Sequence, residues 1–168
     1  MTSKFDIVKQ LDNSVVDFTQ EYNDVVLWNA IALSNKHDYS KEAIQRQYDL
    51  VTEEHNELHE AIDSGDLVET IDALCDIFVV AGYWMFLNKL KPILEGFVVD
   101  SVSAVKGVYY QFATFEKRGL QVSSLFQDTL NALASIKGGK EYLQEVLRSN
   151  MSKFAQKGFF EDKGILPE

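Results

Sequence analysis

Between Gln47 and Trp84 the sequence places acidic residues at helical spacing. Glu53, Glu54, Glu57 and Glu60 precede a short Ser64-Gly65-Asp66 turn, and Glu69, Asp72 and Asp76 follow it. At about 100° per residue, Glu53, Glu57 and Glu60 fall within an arc of roughly 60°. Glu54 sits at the edge of the apolar stripe formed by Leu50, Val51, Leu58, Ala61 and Ile62. Glu69, Asp72 and Asp76 share a similar arc of roughly 60° on the second segment. So short a connection makes an antiparallel αα-hairpin, in which the two acidic stripes can face each other. Crowded carboxylates repel and resist desolvation. A hard cation with oxygen ligands, Mg²⁺ above all, relieves both problems. Solvation alone accounts for Glu60, Asp63 and Asp66, and Glu69 stands at capping-box spacing from Asp66. Asp72 and Asp76 have no such local account, because they lie in an apolar segment with no nearby Lys or Arg.

Other chemistry-bearing residues are fewer. His55 and His59 stand four apart, but Asn56 occupies the position where a zinc-binding His-Glu-x-x-His motif needs Glu. Neither histidine is preceded at three residues by Glu, as a di-iron carboxylate bundle requires. The pair reads as a structural one at the surface or core edge. Gly138-Gly139-Lys140 fits no phosphate-loop frame and reads as a turn between helices. Asn150 and Lys153, within Arg148-Ser149-Asn150-Met151-Ser152-Lys153, stand three apart at a helix end and can pair with phosphate or sugar oxygens. A Lys complementing the helix dipole is the plainer reading of the same residues.

The elements that must position these groups are helices. Pro occurs only at 92 and 167, and helix formers dominate. The spacing predicts a short amphipathic start at 5–11, then helices over 13–34, 40–63, 66–90, 98–117, 123–136 and 141–154. Ser40 and Asp66 are the N-cap candidates, and Gly119 is a candidate C-terminal stop. The fold class expected is all-α with a four-helix core, and 1–168 reads as one domain. The apolar fraction of 46% suits a globular protein. The net charge of −10, without a basic stripe, argues against a nucleic-acid polymer or an anionic membrane as partner. The single Cys75 suits a reducing compartment, and no signal-peptide pattern opens the chain, so a cytoplasmic location is expected.

These motifs resemble the all-α nucleoside triphosphate pyrophosphohydrolases, the MazG-like group that includes the dimeric dUTPases. The family pattern E-E-x-x-E followed by E-x-x-D reads here Glu53-Glu54-x-x-Glu57 and Glu69-x-x-Asp72, with Asp76 one turn further on. The Ser149–Lys153 string SNMSK is similar to a C-terminal segment of phage- and bacteria-borne members. The resemblance implies hydrolysis of a (deoxy)nucleoside triphosphate to the monophosphate and pyrophosphate, in the service of nucleotide-pool control. It implies Mg²⁺, with Mn²⁺ as a substitute, held by Glu53, Glu57, Glu69 and Asp72. Glu54 would be the catalytic base, Asp76 an outer ligand or an acceptor behind the metal, and Asn150 and Lys153 the substrate-binding pair. A homodimer or homotetramer is implied, with Lys153 able to act across the interface and the four-helix core completed by a second protomer. Two other classes compete. One is a non-catalytic helical interaction or nucleotide-binding protein with a solvated acidic face. The other is an iron or manganese oxidoreductase, which would need histidine ligands that the spacing does not supply.

Overall fold

The computed structural model describes residues 14–118 and 121–155. The expected amphipathic start at 5–11, Gly119 and the tail beyond 155 lie outside them. The described chain runs β1 (Val15–Asp17), α1 (Thr19–Ala32), α2 (Lys41–Ser64), α3 (Leu67–Leu87), β2 (Glu95–Phe97), α4 (Ser101–Arg118), α5 (Val122–Ser135) and α6 (Gly139–Ser152), closing on a 3₁₀ turn at Lys153–Ala155. The architecture is an all-α bundle with one small ribbon.

The hairpin that carries the acidic residues is set by local signals. Ser40 caps α2 by accepting the Ala43 N–H at 3.1 Å. α2 ends in a Schellman motif. Gly65 takes φ +73°, its N–H bonds Ile62 O, and the Asp66 N–H reaches back to Ala61 O. Asp66 then caps α3 through the Glu69 N–H at 3.1 Å. Because the Asp66 N–H is already used in the Schellman bond, only this half of the capping box forms. One residue in the left-handed region thus reverses the chain, and α2 and α3 pack antiparallel.

α3 is the central helix. It contacts α1, α2, α5 and α6, so it is buried nearly all round. Leu74, Ile77 and Phe78 are fully buried, and Ala73, Ala81 and Gly82 let neighbours approach closely. A Cβ on Gly82 would already stand 3.3 Å from the Phe126 ring. By length and composition α3 could cross a membrane. Here it is the core helix of the bundle, and the acidic residues on one stripe of it face α2.

The first expected helix, 13–34, is corrected at its start. Val15–Asp17 is a strand paired antiparallel with Glu95–Phe97, Val16 opposite Gly96. Asp17 separates strand from helix by accepting the Thr19 N–H at 2.9 Å and the Thr19 hydroxyl at 2.6 Å. The helix expected from 98 likewise begins only at Ser101, where the Asp100 carboxylate accepts the Ser103 N–H. A two-stranded ribbon is marginal alone, and α5 stabilises its other edge. Gln127 Nε2 donates to Glu95 O, Asn131 Oδ1 accepts the Phe97 N–H, and Ser135 Oγ accepts the Val99 N–H. Steps of four along a helix, about 6 Å, match steps of two along a strand, about 6.6 Å.

The histidine pair is structural. His55 Nε2 donates to Val108 O and His59 Nε2 to Tyr109 O, each at 2.7 Å, tying α2 to α4. Burial pushes the His55 imidazole down to about 4, so it stays neutral.

Candidate metal centre

α2 and α3 bring Glu54, Glu57 and Asp76 together, with a carboxylate oxygen from each lying within 4.8 Å of the others. Glu54 and Glu57 are one turn apart on the face of α2 that meets α3, and Asp76 projects from the facing turn. Glu57 reaches solvent, whereas Glu54 and Asp76 are half-buried. Glu54 Oε2 is buried and has no hydrogen-bond partner among the described residues.

The electrostatics follow from this crowding. Burial, and then the charges of Asp76 and Glu57, push the Glu54 carboxyl up to about 8. Burial, followed by Asp72, Glu57 and Glu69, pushes Asp76 up to about 6, with the Lys153 ammonium opposing. Behind them, burial pushes the Cys75 thiol up to about 12. Half-buried like charges converging on a shared gap, with one buried oxygen unpartnered, are what a divalent cation would stabilise. The donor set is all carboxylate, without nitrogen or sulfur, and so fits Mg²⁺ or Mn²⁺.

The sequence candidates are placed as follows. Glu54, Glu57 and Asp76 form the tight group. Asp72 and Glu69 lie on the same stripe of α3, close enough to act on Asp76. Glu53 is exposed, and its charge adds to those that raise Glu54. Lys153 acts on Asp76 within its own chain, and its Nζ lies 3.4 Å from Asn150 Oδ1. The Asn150 backbone is anchored: its carbonyl accepts the Trp28 indole N–H at 3.0 Å, and the Trp28 ring packs on Phe154. α1 and the end of α6 therefore close the same side of the site.

Sequence reasoning missed Tyr142. Its hydroxyl donates to Asp72 Oδ1 at 2.6 Å, and this bond is the main reason its phenol is pushed up to about 12. The available signal was weak: Tyr142 stands three helical turns before Lys153, on about the same face of α6.

The family model for phosphoribosyl-ATP pyrophosphohydrolase matches residues 25–128. The chain belongs to this family. That places it in the MazG-like all-α superfamily whose motifs its acidic hairpin resembles. The match spans the second half of α1 through the first half of α5, so every carboxylate of the centre lies inside it, while Tyr142, Asn150 and Lys153 lie beyond it. No curated protein and no solved structure matched the chain. The family's reaction type is pyrophosphate release from a nucleotide, and Glu54, Glu57 and Asp76 could hold a metal ion.

Proposed function

We propose that the protein hydrolyses a (deoxy)nucleoside triphosphate to the monophosphate and pyrophosphate, using Mg²⁺ or Mn²⁺, as a cytoplasmic activity on the nucleotide pool. The observation that carries this reading is the convergence of Glu54, Glu57 and Asp76 around one gap, with a buried Glu54 oxygen unpartnered. Glu54, Glu57 and Asp76 are the innermost metal ligands in this reading. Asp72, oriented by Tyr142, and Glu69 extend the set along α3, and Glu53 stands at its rim. A bound divalent ion supplies charge neutralisation for the triphosphate and an acidified water. Glu54, at the inner edge of the cluster, is also the candidate base for the attacking water. Lys153 and Asn150 flank Asp76 and can pair with phosphate or ribose oxygens. The 1–168 chain acts as one catalytic unit, assembled as a homodimer or homotetramer.

The family description favours one second substrate, phosphoribosyl-ATP itself. It shares the adenosine triphosphate group and the scissile linkage, so the same residues would serve. The test is pyrophosphate release from all common NTPs and dNTPs and from phosphoribosyl-ATP, with Mg²⁺ and with EDTA. Release that requires the metal and disappears in Glu57→Ala supports the reading. Metal-independent release, or activity intact in Glu57→Ala, overturns it.

A further inference from the structure

A pocket of about 470 Å³ lies between α1, α2 and α3, and its lining includes Asn29, Asp38, Arg46, Gln47, Leu50 and Tyr83. Gln47, Leu50 and Glu54 share one face of α2, so the pocket lies along the helix from the carboxylates. Gln47 and Leu50 stand two turns and one turn from Glu54 on α2, so the pocket begins about 6–10 Å along the helix from the cluster. On the antiparallel helix, Tyr83 stands two turns beyond Asp76. That separation matches the distance between the α-phosphate of a nucleotide and its base.

Resting on the nucleotide reading above, we propose that this pocket takes the nucleobase and selects bases with an exocyclic amino group, adenine, guanine or cytosine, over uracil and thymine. The chemistry lies in two carboxamides. Gln47 Nε2 donates to Val80 O and Asn29 Nδ2 donates to Val25 O, each at 2.9 Å. Only the NH₂ end of an amide can serve a carbonyl, so both orientations are fixed. The oxygens, Gln47 Oε1 and Asn29 Oδ1, accept no hydrogen bond among the described residues. Asp38, whose carboxylate lies 3.9 Å from the Arg46 guanidinium, adds a further acceptor at the exposed mouth. Amino-bearing bases present N–H₂ donors to such acceptors. Uracil and thymine present two carbonyls and a single N–H, so acceptor would face acceptor. Leucine side chains of the lining supply apolar contact for the faces of the ring.

The test is kcat and KM for dATP, dGTP, dCTP, dTTP and dUTP, together with binding of the corresponding monophosphates by titration calorimetry. The expected result is a KM for the amino-bearing substrates at least about tenfold below that for dTTP and dUTP. Gln47→Met and Asn29→Leu should shrink that ratio to within about threefold by raising KM, with kcat little changed. Leu50 is exposed, so Leu50→Trp should fold and obstruct the pocket. It should raise KM for every nucleotide. Equal or better use of dTTP and dUTP by the wild type, or a ratio untouched in folded Gln47→Met, overturns the assignment while leaving the hydrolase reading standing. Discrimination among monophosphates without cleavage of any triphosphate supports the pocket and overturns the hydrolase reading instead.

Discussion

Replacing Glu54 by Gln is expected to stabilise the metal-free protein at pH 8 and to leave it nearly unchanged at pH 5. The Glu54 carboxyl is raised from its ordinary 4.5 to about 8 in the folded chain. The folded state therefore holds the proton more tightly than the unfolded state. The stability linked to this group is complete below about 4.5 and is lost as pH rises through about 8. At about 1.4 kcal/mol per pH unit, the shift sets a ceiling near ~5 kcal/mol. The side chain is only half-buried, so solvent screening reduces this to ~1–2 kcal/mol. Glutamine is neutral at every pH, keeps the shape, and can donate to Glu57 as protonated Glu54 does. In a chain of this length, each kcal/mol moves Tm by about 2–4 °C. Calorimetry in EDTA should therefore show Glu54→Gln melting roughly 2–8 °C above wild type at pH 8, with the gap nearly closed at pH 5. Added Mg²⁺ should raise the wild-type Tm more than that of the variant, narrowing the gap at pH 8. A variant that melts at or below wild type at pH 8, or that gains equally at both pH values, would refute the argument that the carboxylates repel across a site made for a cation.

Three other outcomes follow from the same structure. Tyr142→Phe removes the 2.6 Å bond to Asp72 and should weaken Mn²⁺ binding about tenfold in a calorimetric titration, with little change in Tm; unchanged affinity would separate Asp72 from the metal. Cys75 is fully buried with its thiol pushed up to about 12, so Ellman's reagent should label it only after denaturation, and prompt labelling of the native protein would contradict its place in the core. Gly96→Ala would drive a Cβ into the Leu130 carbonyl where β2 meets α5; a loss of about 1–3 kcal/mol, read as a Tm at least ~3 °C lower, is expected.

The hairpin was legible in the sequence because its determinants are local. Ser40, Gly65 and Asp66 each act within a few residues, and the apolar period of α2 fixes which side faces α3. The ribbon was not legible. Val15 and Val16 fit a helical stripe as well as a strand, and what decides between them is Glu95–Phe97, some 80 residues away, held in turn by Gln127, Asn131 and Ser135. The acidic cluster was legible as a group, including the raised affinity of Glu54 for its proton. The ranking within it was less so. Glu53 and Glu54 are adjacent, and the one nearer the apolar edge is the one turned inward, so Glu54 and Asp76 join Glu57 at the centre while Glu53 remains exposed. Tyr142 was invisible for a different reason: its partner is on another helix, and no local pattern announces a hydroxyl that reaches Asp72.

The most direct test of the central claim is a product analysis with wild type and Asp76→Asn. Reactions of the nucleotide panel with Mg²⁺ would be resolved by ³¹P NMR. The metal-centre reading predicts monophosphate and pyrophosphate in equal amounts, no orthophosphate, and loss of both products in Asp76→Asn with the fold retained. Orthophosphate as the product, or full activity in folded Asp76→Asn, would contradict it.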